Sequence, residues 1–187
     1  MKFKFKFKFI FVIVIFSFLS YTMLSSDENK NGYETLYQNE FYMNEFVELS
    51  SHYTWINSIN YKIIRKNAIK HDVPIELVCA VIQAESNGRN IRSSKNSNGT
   101  RDHGYMQINE IHLQSKYFNH INDFYDINKN IEFGCIYLKK CLTKATVNDI
   151  ISYTDAIRMY NQGLSGERHK YKNYNYVLKV YRNFVVI

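Results

Sequence analysis

Hydrophobic and polar positions along most of the chain follow the helical period, with apolar residues three and four positions apart. The first helix is predicted over residues 56–70, and its inward positions are Ile59, Ile63, Ile64 and Ala68. Pro74 and Glu76 are typical of a first helical turn, and they predict a second helix that ends at Glu85. This second helix contains an apolar run over residues 77–82.

Three further helices are predicted in the second half of the chain. The first of them can be capped by Asn128 or Asn130, and its inward stripe is Ile131, Gly134, Leu138 and Cys141. Glycine within a helix costs about 1 kcal/mol relative to alanine, so Gly134 indicates a close contact between helices. The next helix is expected to begin at Asn148 and to end near Gly163, with Ile151, Ala156, Met159 and Tyr160 inward. A tyrosine-rich helix over residues 171–184, which includes Tyr176, would close the domain or form the floor of a cleft.

The N-terminal segment, residues 1–26, has the pattern of an export signal. Lysine alternates with phenylalanine at its start, and an apolar run over residues 9–16 follows. This run is short for a membrane span, and no good cleavage site follows it. We therefore expect either a signal peptide or a retained anchor that contacts the inner membrane, and a protein exported to the periplasm or cell envelope.

The remaining chain is expected to form two regions. Residues 27–56 are predicted to be a linker, with residues 27–32 as its clearest part, followed by an accessory helix. The inward stripe of that helix would be Phe41, Glu45, Phe46 and Leu49. Residues 57–187 would form a single domain.

Charge and cysteine content exclude some classes of function. The net charge is +7, but the four leader lysines account for more than half of it, and the remainder is too small to indicate nucleic acid binding. It is compatible with an anionic polymer. Cys79, Cys135 and Cys141 lie in apolar patterns, which favours buried free thiols over a Cys79–Cys135 bridge. No spacing typical of metal ligands is present, so neither a metal nor another cofactor is expected.

Glu85 is the residue with the clearest potential for chemistry. It shares a helix face with Leu77 and Val81, and Gly88 stands where that helix should end. Desolvation and the negative end of the helix dipole would both raise the pKa of this carboxyl group, which would make it a general acid at neutral pH. From this pattern alone, a solvated glutamate at a helix end is the commoner case. His112 and His120 also invite a metal or base role, but lone histidines in polar loops seldom have one.

Four short strings between residues 84 and 163, within a resemblance that covers about residues 57–185, change this interpretation of Glu85. They are Ala84-Glu85-Ser86, the sequence GYMQIN at 104–109, NIEFG at 130–134 with Tyr137-Leu138, and MYNQG at 159–163. In this order and spacing they resemble the lytic transglycosylase family, whose members cleave peptidoglycan. The loop over residues 87–102 departs from the common family pattern and is more similar to small transglycosylases that accompany secretion machines. The family's loop serine would be Ser94 or Ser97.

The resemblance implies a mainly α, lysozyme-like (goose-type) single helical domain with a cleft. It implies Glu85 as the catalytic acid and base, with Ser86 and Tyr160 holding its carboxyl group. The supporting and substrate-binding positions would be Gly104, Tyr105, Met106, Gln107, Tyr160 and Asn161. Among them, Met106 would form an apolar wall of the cleft, and the Gln107 amide would bind an N-acetyl group.

The reaction implied by the resemblance is cleavage of the β-1,4 bond between N-acetylmuramic acid and N-acetylglucosamine, with formation of 1,6-anhydromuramic acid. The partners would be peptidoglycan strands and an envelope-spanning secretion or motility complex. Two alternatives remain open at this point. One is a goose-lysozyme-type hydrolase in which Asp102 positions water, and the other is a non-catalytic peptidoglycan-binding component.

Overall fold

The structure is a computed structural model that describes residues 27–164 and 174–184. The chain divides into two compact units, Met1–Asn44 and Glu45–Ile187. Helix α1, Asp27–His52, contains the boundary between them. Residues 27–32, predicted to be a linker, are therefore helical. The predicted leader, residues 1–26, lies outside the described residues.

The second unit is built mainly from helices. They are α2 (Ser58–Lys70), α3 (Ile75–Ser86), α4 (Ile127–Lys144), α5 (Tyr153–Gln162) and α6 (Tyr174–Asn183), with 3₁₀ helices at Glu110–His112 and Ile121–Tyr125. Two short antiparallel hairpins join β1 (Asp102–His103) to β2 (Ile108–Asn109) and β3 (Thr146–Val147) to β4 (Ile150–Ile151). Asp102 is in register with Asn109, and His103 with Ile108. The expected mainly α fold class is confirmed.

Helix α3 forms the centre of the second unit. All six residues from Leu77 to Ile82 are completely buried, at 0% exposure. Helices α2 and α6 pack against this helix. Because side chains on every face of the run are covered, the helix lies in the interior and its last turn has a defined position.

The end of α3 is determined by its neighbours as well as by its own residues. Asn87 and Gly88 have φ values of 55° and 67°, the left-handed conformation that terminates helices. A Cβ atom on Gly88 would lie 2.0 Å from Cγ of Trp55, so only glycine fits beneath this ring. The Trp55 indole N–H donates a hydrogen bond of 2.7 Å to Oε1 of Gln83. Trp55 therefore holds the turn that carries Glu85.

Asn130 of α4 connects this helix to the segment around the first hairpin. Its side chain is completely buried, and its Oδ1 accepts a hydrogen bond of 2.8 Å from the Met106 amide. Its Nδ2 donates to the carbonyl groups of His103 and Phe124, both at 2.9 Å. One turn later, a Cβ atom on Gly134 would lie 2.1 Å from Sδ of Met106. A close contact is thus present at Gly134, but it is made with Met106 of the segment between β1 and β2 and not with another helix, as was predicted.

The cap of α4 differs from the prediction. Asp126 caps this helix, because its carboxylate accepts a hydrogen bond from the Lys129 amide. Asn130 cannot do so, since its side-chain amide is occupied by three backbone groups. Asn128 instead accepts a hydrogen bond from the side chain of Asn67.

The start of α5 was also predicted wrongly. Asn148 and Asp149 have positive φ values of 49° and 62° and form the turn between β3 and β4, so they cannot begin a helix. Ser152 caps the helix by accepting a hydrogen bond from the amide of Asp155. As a result, Ile151 belongs to a strand and is 42% exposed rather than inward.

The inward stripes predicted for helices α1 and α2 are only partly buried in the structure. Ile59 is 71% exposed, because α2 turns Asn60 and Asn67 into the interior. On α1, Glu45 and Leu49 are buried, but Phe41 is exposed. These polar side chains can be buried because they are hydrogen-bonded. Glu45, for example, accepts a hydrogen bond from the Tyr61 hydroxyl.

The three cysteines are free and buried, as the sequence favoured. Burial raises the pKa of the Cys135 and Cys141 thiols to about 12, so both remain protonated and unreactive. Within the part of the chain that the structure describes, no helix is both long enough and apolar enough to span a membrane.

We predict that Asn130→Ala destabilises the protein by about 3 kcal/mol, because it leaves three buried backbone groups without partners. Urea unfolding followed by circular dichroism measures this change. Asn119→Ala, at an exposed position, is the matched control and should change stability by less than about 0.5 kcal/mol. Equal effects of the two substitutions would contradict the assigned role of Asn130.

Candidate active site

A cavity of about 640 Å³ lies beside the last turn of α3, and Glu85 is part of its lining. The loop at residues 96–98, the β1–β2 hairpin and residues 111–112 contribute to its lining. Phe133 and Tyr137 of α4 and residues 160–163 at the end of α5 also line it. This volume is typical of sites that enclose a small molecule or a short stretch of a polymer.

Glu85 is partly buried and is contacted by helix α6. The Tyr176 hydroxyl donates a hydrogen bond of 2.5 Å to Oε1 of Glu85. From the next turn of α6, the Lys179 ammonium group donates to the carbonyl oxygen of Ala84. The C-terminal helix therefore holds both the Glu85 side chain and the backbone beside it.

The environment of Glu85 raises the pKa of its carboxyl group to about 7. Desolvation is the largest cause, and the nearby negative charge of Asp102 acts in the same direction. The hydrogen bond from Tyr176 and the positive charge of Lys179 oppose the shift. Near neutral pH the group is thus present in both forms, as a general acid and base requires.

The tyrosine that contacts Glu85 is not the one that the sequence indicated. The Tyr160 hydroxyl donates a hydrogen bond of 3.0 Å to the Met106 carbonyl, although Tyr160 itself lines the cavity beside Glu85. Tyr176 takes the expected role, and burial together with the Glu85 charge raises the pKa of its hydroxyl, which therefore stays protonated. The sequence placed Tyr176 on the inner face of the last helix, but no pattern indicated Glu85 as its partner.

Ser86 also differs from its predicted role. Its hydroxyl donates a hydrogen bond of 2.7 Å to the Tyr105 carbonyl and not to the Glu85 carboxyl group. The same oxygen accepts a hydrogen bond from the Arg89 amide. Ser86 and Tyr105 thus join the end of α3 to the hairpin segment, and neither side chain lines the cavity.

The segment Gly104–Gln107 packs against helix α4. Gly104 has φ 79°, and a Cβ atom there would lie 2.2 Å from Nδ2 of Asn130. Met106 is completely buried against α4, so it supports the site and does not form an apolar wall of the cleft as expected. The left-handed conformation of Gln107, with φ 47°, places its side chain at the cavity.

The Gln107 amide is oriented by two hydrogen bonds. Its Nε2 donates to the carbonyl groups of Gly104 at 2.8 Å and Ile91 at 3.1 Å. Because both hydrogens of the amide are used, the carbonyl oxygen is the atom that can accept a hydrogen bond from a ligand.

Asp102 brings a second carboxylate to the cavity. Its Oδ1 accepts a hydrogen bond of 2.7 Å from the Asn109 amide, and its Oδ2 accepts one of 3.1 Å from the Asn96 amide. These bonds hold the group in place across the β1–β2 hairpin. From the sequence, Asp102 was predicted only to position water in the alternative hydrolase.

Other predicted positions divide between the cavity and the surface. Asn161 and Ser97 line the cavity, but Ser94 does not. His112 lines it too, whereas His120 is exposed outside it. Within residues 27–164 and 174–184, no three His, Cys, Asp or Glu side chains are placed to hold a metal ion.

Comparison with protein families identifies one match. The family model described as "Transglycosylase SLT domain" matches residues 62–181 of this chain. The match includes all the residues that line the cavity, and it also includes Tyr176. A search of curated proteins found no match.

We predict that Tyr176→Phe raises the pKa of Glu85 above about 7, because it removes the hydrogen bond that stabilises the carboxylate form. Titration of the Glu85 side-chain carboxyl carbon by NMR measures the shift. Tyr174→Phe, on the exposed first turn of the same helix, should leave the titration unchanged. An unaltered pKa in Tyr176→Phe would show that this hydrogen bond has no effect on Glu85.

Proposed function

Because the chain belongs to the transglycosylase SLT domain family, whose members are lytic transglycosylases that act on peptidoglycan, we propose that it cleaves the β-1,4 bond between N-acetylmuramic acid and N-acetylglucosamine. In this proposal the muramic acid product carries a 1,6-anhydro ring. The observation that carries the proposal is Glu85, a desolvated carboxyl group with a pKa of about 7 in the cavity beside the last turn of α3.

Protonated Glu85 would begin the reaction by donating its proton to the glycosidic oxygen as the bond to the anomeric carbon breaks. The carbonyl oxygen of the substrate's own N-acetyl group stabilises the positive charge on that carbon. Glu85, now a carboxylate, then removes the proton from the C6 hydroxyl group. O6 forms a bond to the anomeric carbon, which closes the anhydro ring and returns Glu85 to its protonated form.

Use of one group as acid and then base requires that neither protonation state be strongly favoured. Desolvation favours the acid, and the Tyr176 hydrogen bond favours the carboxylate that the first step produces. Tyr176 thus has its main effect after the glycosidic bond has broken. The Gln107 carbonyl oxygen, fixed by the two donated hydrogens, is suited to accept the N–H of an N-acetyl group.

A hydrolase is the second candidate function, and the position of Asp102 favours it. Hydrolysis of glycosides normally uses two carboxyl groups, one as acid and the other as nucleophile or as base for water. Asp102 lines the same cavity as Glu85, and two amides orient its carboxylate. A hydrolase would release reducing muramic acid ends in place of anhydro ends.

We also propose that the protein acts outside the cytoplasm, in the periplasm or cell envelope, and serves an envelope-spanning complex. The support is the export-signal pattern of residues 1–26 and the sequence of the loop over residues 87–102. Fusion of residues 1–26 to alkaline phosphatase, which is active only after export, tests the location. An inactive fusion would contradict it.

We predict that Glu85→Gln lowers the rate of murein cleavage at least 100-fold, because the amide can neither donate nor accept the transferred proton. Mass spectrometry of purified sacculi after digestion gives both the rate and the chemistry, since anhydro ends identify a transglycosylase. Glu48→Gln, on an exposed face of α1, is the matched control and should retain full activity. Residual activity of Glu85→Gln above about one per cent would argue against the proposal. Binding to sacculi by the unmutated protein without release of fragments would indicate a non-catalytic function.

A further inference from the structure

Strand β1 consists of two polar residues whose side chains point to opposite faces of the hairpin. Successive side chains of a strand alternate, so His103 lies on the face away from Asp102. Asp102 lines the cavity that contains Glu85, whereas His103 is 1% exposed and does not line it. The imidazole is therefore a buried group behind the carboxylate that faces the cavity.

Both nitrogen atoms of the His103 ring are hydrogen-bonded. Nε2 lies 3.1 Å from Oε2 of Glu110, and Nδ1 lies 2.9 Å from the hydroxyl oxygen of Tyr125. The hydrogen bond from His103 lowers the pKa of the Glu110 carboxyl group, so this group is a carboxylate at neutral pH and can only accept. Nε2 is therefore the donor, and in the neutral imidazole Nδ1 accepts a hydrogen bond from the Tyr125 hydroxyl.

Aromatic rings hold the imidazole as well. Its centroid is 5.2 Å from that of Phe124 and 5.5 Å from that of Tyr125, whose ring meets it edge-on. Phe124 is completely buried, and both aromatic residues belong to the 3₁₀ helix Ile121–Tyr125, which precedes α4. His103 thus attaches β1 to the segment that leads into α4.

Contacts of consecutive residues link the His103 side chain to the position of Asp102. Asn109 donates a hydrogen bond of 2.7 Å to the Asp102 carboxylate, and the next residue, Glu110, accepts the one from His103. The Glu110 amide also donates a hydrogen bond of 2.9 Å to the carbonyl oxygen of Arg101. A shift of β1 that moved Asp102 would therefore break the contacts of His103 on the other face.

We propose that His103 is a positioning residue of the site, which fixes strand β1 from the face opposite the cavity and thereby holds the Asp102 carboxylate at its distance from Glu85. This inference rests on the proposed function for the catalytic part of Glu85. His103 acts only through Asp102, because it does not line the cavity and so does not touch the substrate.

The ionisation of Glu85 reports where Asp102 lies. Desolvation is the largest cause of the raised pKa of Glu85, and the negative charge of Asp102 adds to it. Tyr176 and Lys179 of α6 oppose the shift, and Tyr160 of α5 is uncharged. Displacement of Asp102 should therefore lower the pKa of Glu85 from about 7 towards its ordinary value.

Titration of the Glu85 side-chain carboxyl carbon by NMR tests the positioning. His103→Ala and Glu110→Ala should both lower the Glu85 pKa, and the partly exposed position of Glu110 supplies a folded variant if His103→Ala does not fold. Glu110→Gln keeps an oxygen that accepts the hydrogen bond from Nε2, so it should leave the Glu85 pKa unchanged. Asn67→Ala, which removes buried hydrogen bonds of α2, should lower the melting temperature but not the Glu85 pKa.

A double-mutant cycle tests whether the effect passes through Asp102. Asp102→Asn alone should lower the Glu85 pKa, because it removes a nearby negative charge. Addition of Glu110→Ala to Asp102→Asn should then produce no further change. Additive effects of the two substitutions would overturn the inference. An equal fall of the Glu85 pKa in Glu110→Gln would overturn it too, since the charge of Glu110 and not its hydrogen bond would be the cause.

Kinetics on soluble, peptide-free glycan strands separate this inference from the proposed function. In Glu110→Ala, kcat/KM should fall about threefold at pH 8.5 and stay unchanged at pH 5.5, because protonated Glu85 is lost at a lower pH. If the unmutated protein cleaves nothing but the cycle is non-additive, the proposed reaction is wrong and the positioning of Asp102 by His103 stands. If cleavage proceeds and both alanine substitutions leave the Glu85 pKa and this pH profile unchanged, the positioning is wrong and the reaction stands.

Discussion

Desolvation of one carboxyl group is the physical constraint on which this site depends. Glu85 lies at the end of a completely buried helix, and the free energy cost of its charge raises its pKa to about 7. Without an opposing contact, a buried carboxyl group would remain protonated and would serve only as an acid. The Tyr176 hydroxyl and Lys179, both on α6, lower the pKa enough for the carboxylate to form. The balance between burial and these two contacts is therefore what the two proposed proton transfers require.

The site as a whole depends on the accurate position of three separate segments. Trp55 covers Gly88 and fixes the end of α3, and α6 brings Tyr176 to the carboxyl group. Asn130 and Gly134 hold the Gly104–Gln107 segment against α4, so Gln107 reaches the cavity in a left-handed conformation. Several residues of the four sequence strings thus act as supports. Met106, Ser86 and Asn130 maintain the geometry without lining the cavity.

Sequence patterns predicted local features of the helices well, but they predicted poorly which distant side chains are in contact. The apolar run before Glu85 and the glycine after it identified α3 and its end within one residue. Asn148 and Ile151 were misplaced because a two-residue turn with positive φ begins a hairpin there, and the helical period of the following residues extended over it. Ile59 was misplaced because hydrophobicity alone does not reveal that Asn60 and Asn67 find hydrogen-bond partners in the interior.

The sequence by itself determined that the second unit is helical, that Glu85 stands at the end of an apolar helix, and that four strings of the lytic transglycosylase pattern follow in order. Those are local properties, since a helix is encoded by residues within a few turns of one another. Only the tertiary structure decided which tyrosine contacts Glu85, because Tyr176 is 91 positions away and the packing of α6 brings it near. It also decided that Asp102 lies near enough to raise the pKa of Glu85, and that Tyr125 contacts His103. Such contacts join side chains that are distant in the chain, and they form only when the helices pack.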